Sequence, residues 1–320
     1  MQLNRFALYA WGLLLYHLLV IIWGDFVRAT GSGAGCGHHW PTCNGQVIPR
    51  AAQIETIIEF THRLTSGLAG LLVIILVVWA FRAYPKGHVV RFGAVLSLIF
   101  IISEGLIGAA LVRFELVAYN PSLVRAFVVA GHLVNTFALL AFLTLTAWWA
   151  AGGKPLRWRG QGYQTWLLGL GLLAVIGLGA SGVVTALGDT LFPVASLVEG
   201  VKRDFSPAEN FLVRLRVIHP LLAMLSGLYM LVLGAVFQTA PYSLETRRLA
   251  RGLIALFFLQ LGVGIINLLL LVPVWTQLVH LLMADLVWIA LVLLSASALT
   301  EDTVSAADVE RPQKSALRSA

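Results

Sequence analysis

Eight apolar runs, each long enough to cross a bilayer, constrain this chain more than any other feature. They cover residues 6–27, 57–81, 92–112, 124–149, 165–187, 211–237, 252–272 and 277–298. A spanning helix needs about 20 predominantly apolar residues. Hydrocarbon offers backbone N–H and C=O groups no partner, so a crossing segment must satisfy them internally, as a helix does. Charged residues make up 12% of the chain and hydrophobic ones 59%, whereas a soluble domain is about a quarter charged. The runs therefore predict an all-α membrane protein of eight transmembrane helices. The first run is too long for a signal h-region and lacks a clean cleavage site, so it reads as a retained helix. The net charge of +7 sits in short segments between runs. With no basic patch interleaved with aromatics and no nucleic-acid motif, membrane lipid is the expected partner and nucleic acid is not.

Those basic segments set the orientation. Arg5, Arg82 to Arg91, Lys154 to Arg159, Arg247 to Arg251 and the tail carry most of the 22 Lys and Arg. The positive-inside rule then places both termini in the cytoplasm, with the protein in the cell membrane. The two long loops, about 28–56 and 188–210, fall outside. The tail 301–320 is polar, rich in Ala and Ser, and expected to be disordered.

Four histidines lie near the start of even-numbered runs: His62, His132, His219 and His280. All four enter from the outer side, so they lie at similar depth in the outer half of the membrane. The surrounding sequence repeats. Glu104-Gly105-Leu106-Ile107-Gly108 matches Gln260-Leu261-Gly262-Val263-Gly264, and His132-Leu133 matches His280-Leu281. Four helices per half give a parallel repeat about an axis along the membrane normal. The expected architecture is two pseudo-symmetric four-helix bundles, residues 1–152 and 153–300.

A single intramembrane histidine is often an interhelical hydrogen-bonding group. Four at matched places point further, because ionisable groups in spans are costly and usually functional. Imidazoles from facing helices suit bis-axial haem ligation, and bundle cores are common cofactor sites. Zinc wants a third or fourth protein ligand, and neither pair has one at its depth. The halves differ at one place. Glu59 stands three residues before His62, on the same helical face, where Arg216 precedes His219. Glu59 has an ion pair with Arg63 as its alternative role. Arg216 and Arg214 have topology, lipid contact or haem propionates, which suit arginine geometry. His17 reads as a satisfied core residue, His88 as solvated, and Glu104 as an interhelical hydrogen-bonding group opposite Gln260 in the repeat. Asp25 and Asp285 are further polar groups in or near the spans.

The first outer loop carries Gly35-Cys36-Gly37-His38-His39-Trp40-Pro41-Thr42-Cys43-Asn44-Gly45. Outside the cytoplasmic membrane, Cys36 and Cys43 can form a disulfide, either structural or redox-active. Zinc held by Cys36, His38, His39 and Cys43 is the third alternative. The pattern is not the Cys-x-x-Cys-His of covalent haem attachment.

This loop, then Glu59-x-x-His62-Arg63, His132-Leu133, His219-Pro220 and His280, resembles the haem A synthase family, over about residues 5–298. The resemblance implies oxidation of the C8 methyl of haem O to a formyl group by successive hydroxylations, giving haem A for terminal oxidases. It implies haem O as substrate between His62 and His132, with Glu59 assisting the oxidation. It implies haem B as cofactor between His219 and His280, and Cys36 and Cys43 in redox or haem transfer. Arg63 and Arg216 are candidates for propionate or ion-pair contacts. The enzyme that makes haem O is an expected partner, together with an unidentified electron donor or acceptor. A homo-oligomer is compatible with the sequence. Some members of the family carry a second cysteine pair in the later outer loop, and this chain has none there. Two other classes compete with the enzyme: a di-haem cytochrome b for electron transfer, and a haem transporter or chaperone. Stacked haems across both leaflets would suit the former, yet all four histidines fall near one face.

Overall fold

The computed structural model describes residues 3–50, 53–157, 160–239 and 242–300. The expectation for the tail 301–320 lies outside the described residues. Several helices begin where polar side chains take up orphan amides. α1 (Arg5–Ala29) opens on Asn4, whose side-chain oxygen accepts from the Ala7 amide at 2.8 Å. α2 (Ile54–Ala83) follows the long loop, and α3 (Val89–Arg113) opens on His88, whose ring nitrogen accepts from the Val90 amide. Ser122 caps α4 (Leu123–Ala150) in the same way. Each cap satisfies a donor that the first helical turn leaves unpaired. His88 is thus a helix cap, packed on Tyr84 at 4.6 Å between ring centres, rather than a freely solvated side chain.

α5 (Tyr163–Leu191) leads to a short helix, α6 (Leu197–Asp204), inside the second long loop. The run at 211–237 is not one continuous helix. It begins as α7 (Phe211–Arg214), tightens to a 3-10 turn at Leu215–Val217 and continues as α8 (Ile218–Phe237). Pro220 accounts for the break. It has no N–H to give the Arg216 carbonyl and its ring crowds that carbonyl, so the α-helical ladder fails there. α9 (Leu244–Leu269) starts eight residues before its apolar run, on the Ser243 cap, and so takes in Arg247, Arg248 and Arg251. α10 (Val274–Ala298) closes the chain, after Pro273. Eight helices are long and apolar enough to cross a membrane, and no strand is present among the described residues. The protein is a multi-pass membrane protein.

The spans can be traced as two groups that also pack on each other, α4 on α5 and α10 and α1 on α10. α1 packs on α2, α2 on α3, α3 on α4 and α4 back on α1. In the second group α5 packs on α8, α8 on α9, α9 on α10 and α10 on α5. α2 therefore faces α4 across a diagonal, as α8 faces α10. α4 and α10 join the groups, and their central residues Leu140, Leu143, Leu291 and Leu294 are fully or almost fully buried. Close approach is possible where side chains are small. A Cβ on Gly93 of α3 would collide with the Thr146 hydroxyl of α4. Across the join, Trp288 stacks on Phe137 at 4.9 Å, and its indole N–H donates to the Phe137 carbonyl at 2.6 Å.

Replacing Trp288 by Phe keeps a ring against Phe137 but removes that hydrogen bond and part of the buried indole. The detergent-solubilised variant is expected to lose about 1–2 kcal/mol, read as a lower thermal midpoint by fluorescence-detected gel filtration. An unchanged midpoint would mean that this contact does not pin α4 to α10.

Candidate functional site

The four histidines all lie within the first three turns of their spans, at the end of the bundle that carries the long loops. His62 and His132 project from the diagonal helices α2 and α4, and His219 and His280 from α8 and α10. Each ring is partly exposed rather than sealed into the core. The rings of His219 and His280 have centres 6.3 Å apart and planes 86° apart. Metal–imidazole nitrogen bonds run about 2.0–2.1 Å, which puts the ring centres of two opposed ligands about 6 Å apart. The ring separation of the pair is thus that of a bis-histidine haem site.

Glycines make room for the rings. A Cβ on Gly24 of α1 would lie 2.8 Å from Cε1 of His62. One on Gly182 of α5 would lie 2.9 Å from Cε1 of His219, and one on Gly264 of α9 would lie 2.9 Å from Cε1 of His280. Gly24 and Gly182 were not singled out by sequence, although both lie in spans next to a histidine-bearing helix. Nδ1 of His219 lies 3.0 Å from the Ser181 hydroxyl, a contact that orients a ligating ring. Neighbouring helices supply the remaining partners. Glu104 of α3 reaches His132, and Gln260 of α9 reaches His280. The expected interhelical bonding of Glu104 is therefore present, and it extends to a candidate ligand.

Glu59 is buried, 3% exposed, and fully engaged. One carboxylate oxygen accepts from the Cys36 amide at 2.8 Å, the other from the Arg63 guanidinium. Arg63 also donates to the His39 and Thr42 carbonyls, both at 2.8 Å. These bonds clamp the cysteine loop onto α2, one helical turn from His62. Cys36 and Cys43 are joined as a disulfide and are fully buried. Their sulfurs are therefore spoken for, and no cluster of three or more His, Cys, Asp or Glu placed to hold a metal ion forms among the described residues. The Thr56 hydroxyl donates to the Gly35 carbonyl at 2.7 Å, completing the dock.

Arg216 occupies a different setting. It pairs with Asp189 at 2.9 Å and Asp204 at 3.7 Å, and donates to the Gly188 and Phe192 carbonyls. Both candidate arginines thus make ion pairs within the protein, while Arg214 is exposed. In α6, burial pushes the Asp204 carboxyl above its ordinary value, and the hydrogen bond from Arg203 holds Glu209 below its own. His17 is buried and only half satisfied: Nδ1 lies 2.8 Å from the Leu13 carbonyl, and Nε2 has no partner among the described residues. Asp285 is fully buried, and neither of its oxygens has a partner there either.

The sequence is similar to known proteins. Residues 7–292 match the COX15-CtaA family model, described as cytochrome oxidase assembly protein. A Thermus thermophilus protein named Protoheme IX farnesyltransferase is 58% identical over 296 residues, covering 92% of this chain and 49% of the relative. A second strain of the same organism has an equally similar protein of that name. Heme A synthase of Geobacillus kaustophilus is 52% identical over 134 residues, covering 41% of this chain and 40% of that relative. The chain therefore spans about half the length, or less, of these relatives.

The loop dock is open to a direct check. A Cβ on Gly35 would collide with the Glu55 carbonyl, so Gly35→Ala is expected to lift the loop from α2. Hydrogen–deuterium exchange over residues 36–43 should then rise well above wild type. Equal protection in the variant would contradict the clamp.

Proposed function

Because the chain belongs to the COX15-CtaA family of cytochrome oxidase assembly proteins, with Heme A synthases among its relatives, we propose that it is a haem A synthase. In this reading it oxidises the C8 methyl of haem O to the formyl group of haem A. The observation that carries it is the unequal furnishing of the two histidine pairs. Glu59, Arg63 and the disulfide loop surround the His62 side, and no such loop attends the other pair.

His62 and His132 hold the iron of the substrate haem O. His219 and His280 hold haem B, which supplies electron-transfer capacity when bound. Ser181 orients His219, and Gly182 and Gly264 leave room for the two rings. Glu59 acts at the methyl carbon. Its carboxylate is already fixed by the Cys36 amide and Arg63, so it needs no reorganisation to stabilise positive charge developing there. Arg63 sets the direction of Glu59 and ties it to the loop. Methyl to formyl removes four electrons from the carbon and adds one oxygen. The source of that oxygen and the redox partner, an electron donor or acceptor, are separate components. As a disulfide Cys36 and Cys43 serve as the loop's covalent frame, and a part in redox or haem transfer would require an external reductant to open it to the dithiol.

The two halves act as pseudo-symmetric bundles, residues 1–152 and 153–300. Both termini lie in the cytoplasm and the long loops on the outer face of the cell membrane, as the basic residues direct. Similarity to relatives twice as long that bear a farnesyltransferase name supports a haem O-producing enzyme as partner.

The reading is tested by mass identification of haems extracted from purified Glu59→Ala and wild-type protein, in cells that make haem O. The wild type should yield haem B with haem O or haem A. The variant should keep haem B and haem O and make no haem A. Haem A from the Glu59→Ala protein at the wild-type level would remove Glu59 from the reaction.

A further inference from the structure

We propose that Glu104 controls how readily the N-terminal site releases its haem, as a positioning residue acting through His132. The inference rests on reading that site as the substrate site.

Glu104 and Gln260 hold equivalent places in the repeat, one on α3 and the other on α9. Each reaches the histidine of the next helix at the same atom. Glu104 Oε1 lies 3.4 Å from His132 Nε2, and Gln260 Nε2 lies 3.3 Å from His280 Nε2. Nδ1 of both rings is buried and without a partner among the described residues. Nε2 is therefore the nitrogen that a ligand can reach, and in each half it already has a neighbour.

The neighbours differ in charge and in anchorage. The Glu104 carboxylate takes the Thr136 hydroxyl at 2.5 Å on one oxygen and the Asn135 amide on the other. Asn135 is itself braced by the Ser103 hydroxyl at 2.5 Å and by donation to the Phe100 carbonyl. The carboxylate is thus held at the His132 ring by residues of the same two helices. Gln260 has no such brace, since its Oε1 is without a partner among the described residues. An iron that takes His280 Nε2 displaces a neutral amide that is free to turn. An iron bound at His132 Nε2 would sit beside a fixed carboxylate that lies 3.4 Å from that nitrogen, and a charged partner attracts an imidazole N–H more strongly than a neutral amide does. His132 is pulled back toward Glu104 whenever the iron bond opens. One site is built to exchange its haem, as substrate and product require, and the other to keep it.

The experiment uses full-length protein purified in detergent with its haems bound. Haem transfer to apomyoglobin is followed in time, the haem that leaves is identified by mass, and bis-histidine ligation is read from the low-spin spectrum. Glu104→Gln gives the N-terminal site the partner that its counterpart has. Release of haem O or haem A should slow about fivefold, with a stronger low-spin signal. Gln260→Glu should speed release of haem B by a similar factor. Unchanged release in both variants overturns the proposal, as does faster release from Glu104→Gln. If Glu104→Gln fails to fold, Gln260→Glu decides alone: faster haem B release supports the proposal and an unchanged rate overturns it. Wild-type protein holding haem B in both halves would overturn the substrate reading itself, and that result is seen before any variant is made.

Discussion

A polar side chain inside a bilayer is stabilised by a partner within the protein, because the lipid has none to offer, and long polar side chains here find it on a neighbouring helix. This requirement organises the bundle. Asn135 and Thr136 meet Glu104, Ser181 meets His219, Gln260 meets His280, and the Trp288 indole meets the Phe137 carbonyl. Each contact fixes a rotation of one helix against the next. The histidines then have little freedom, and they lie on helices that face one another across a diagonal. Glycine at positions 24, 182 and 264 finishes the arrangement by letting adjacent helices run against the imidazole rings.

The two histidine pairs share this scaffold and differ in what surrounds them. Beside His62, a covalently closed loop is bound to α2 by a carboxylate and a guanidinium that also bind each other. Glu59 is therefore both a loop anchor and the proposed reaction-side carboxylate. Any change in the loop, reduction of its disulfide included, acts on the Cys36 amide that Glu59 accepts from. Beside His219, the basic residue at the corresponding place turns to Asp189 and Asp204 instead. It ties α8 to the second long loop and leaves the ring to Ser181.

Much of this was legible in the sequence because hydrophobicity is a strong signal over twenty residues. All eight spans appear where the apolar runs lie, and His62, His132, His219 and His280 stand at one end of them. The start of α9 was missed because Arg247, Arg248 and Arg251 ended the apolar run, while a helix limited by the Ser243 cap tolerates them. The interruption before α8 had a visible cause in Pro220, whose effect falls on a carbonyl four residues upstream rather than on its own position. The partners of Glu59 and Arg63 include backbone groups of the loop, and backbone groups carry no side-chain signature. The roles of Gly24 and Gly182 depend on which helices are neighbours, which hydropathy alone does not reveal. The match of Glu104 with Gln260 was readable, but its meaning needed the distances to His132 and His280.

The central claim is that the two histidine pairs hold different haems. It is tested most directly by mass identification of the haems in purified His132→Ala and His280→Ala proteins. His132→Ala should lose haem O and haem A and keep haem B, while His280→Ala should lose haem B and keep the other. Loss of the same haem from both variants would contradict the assignment.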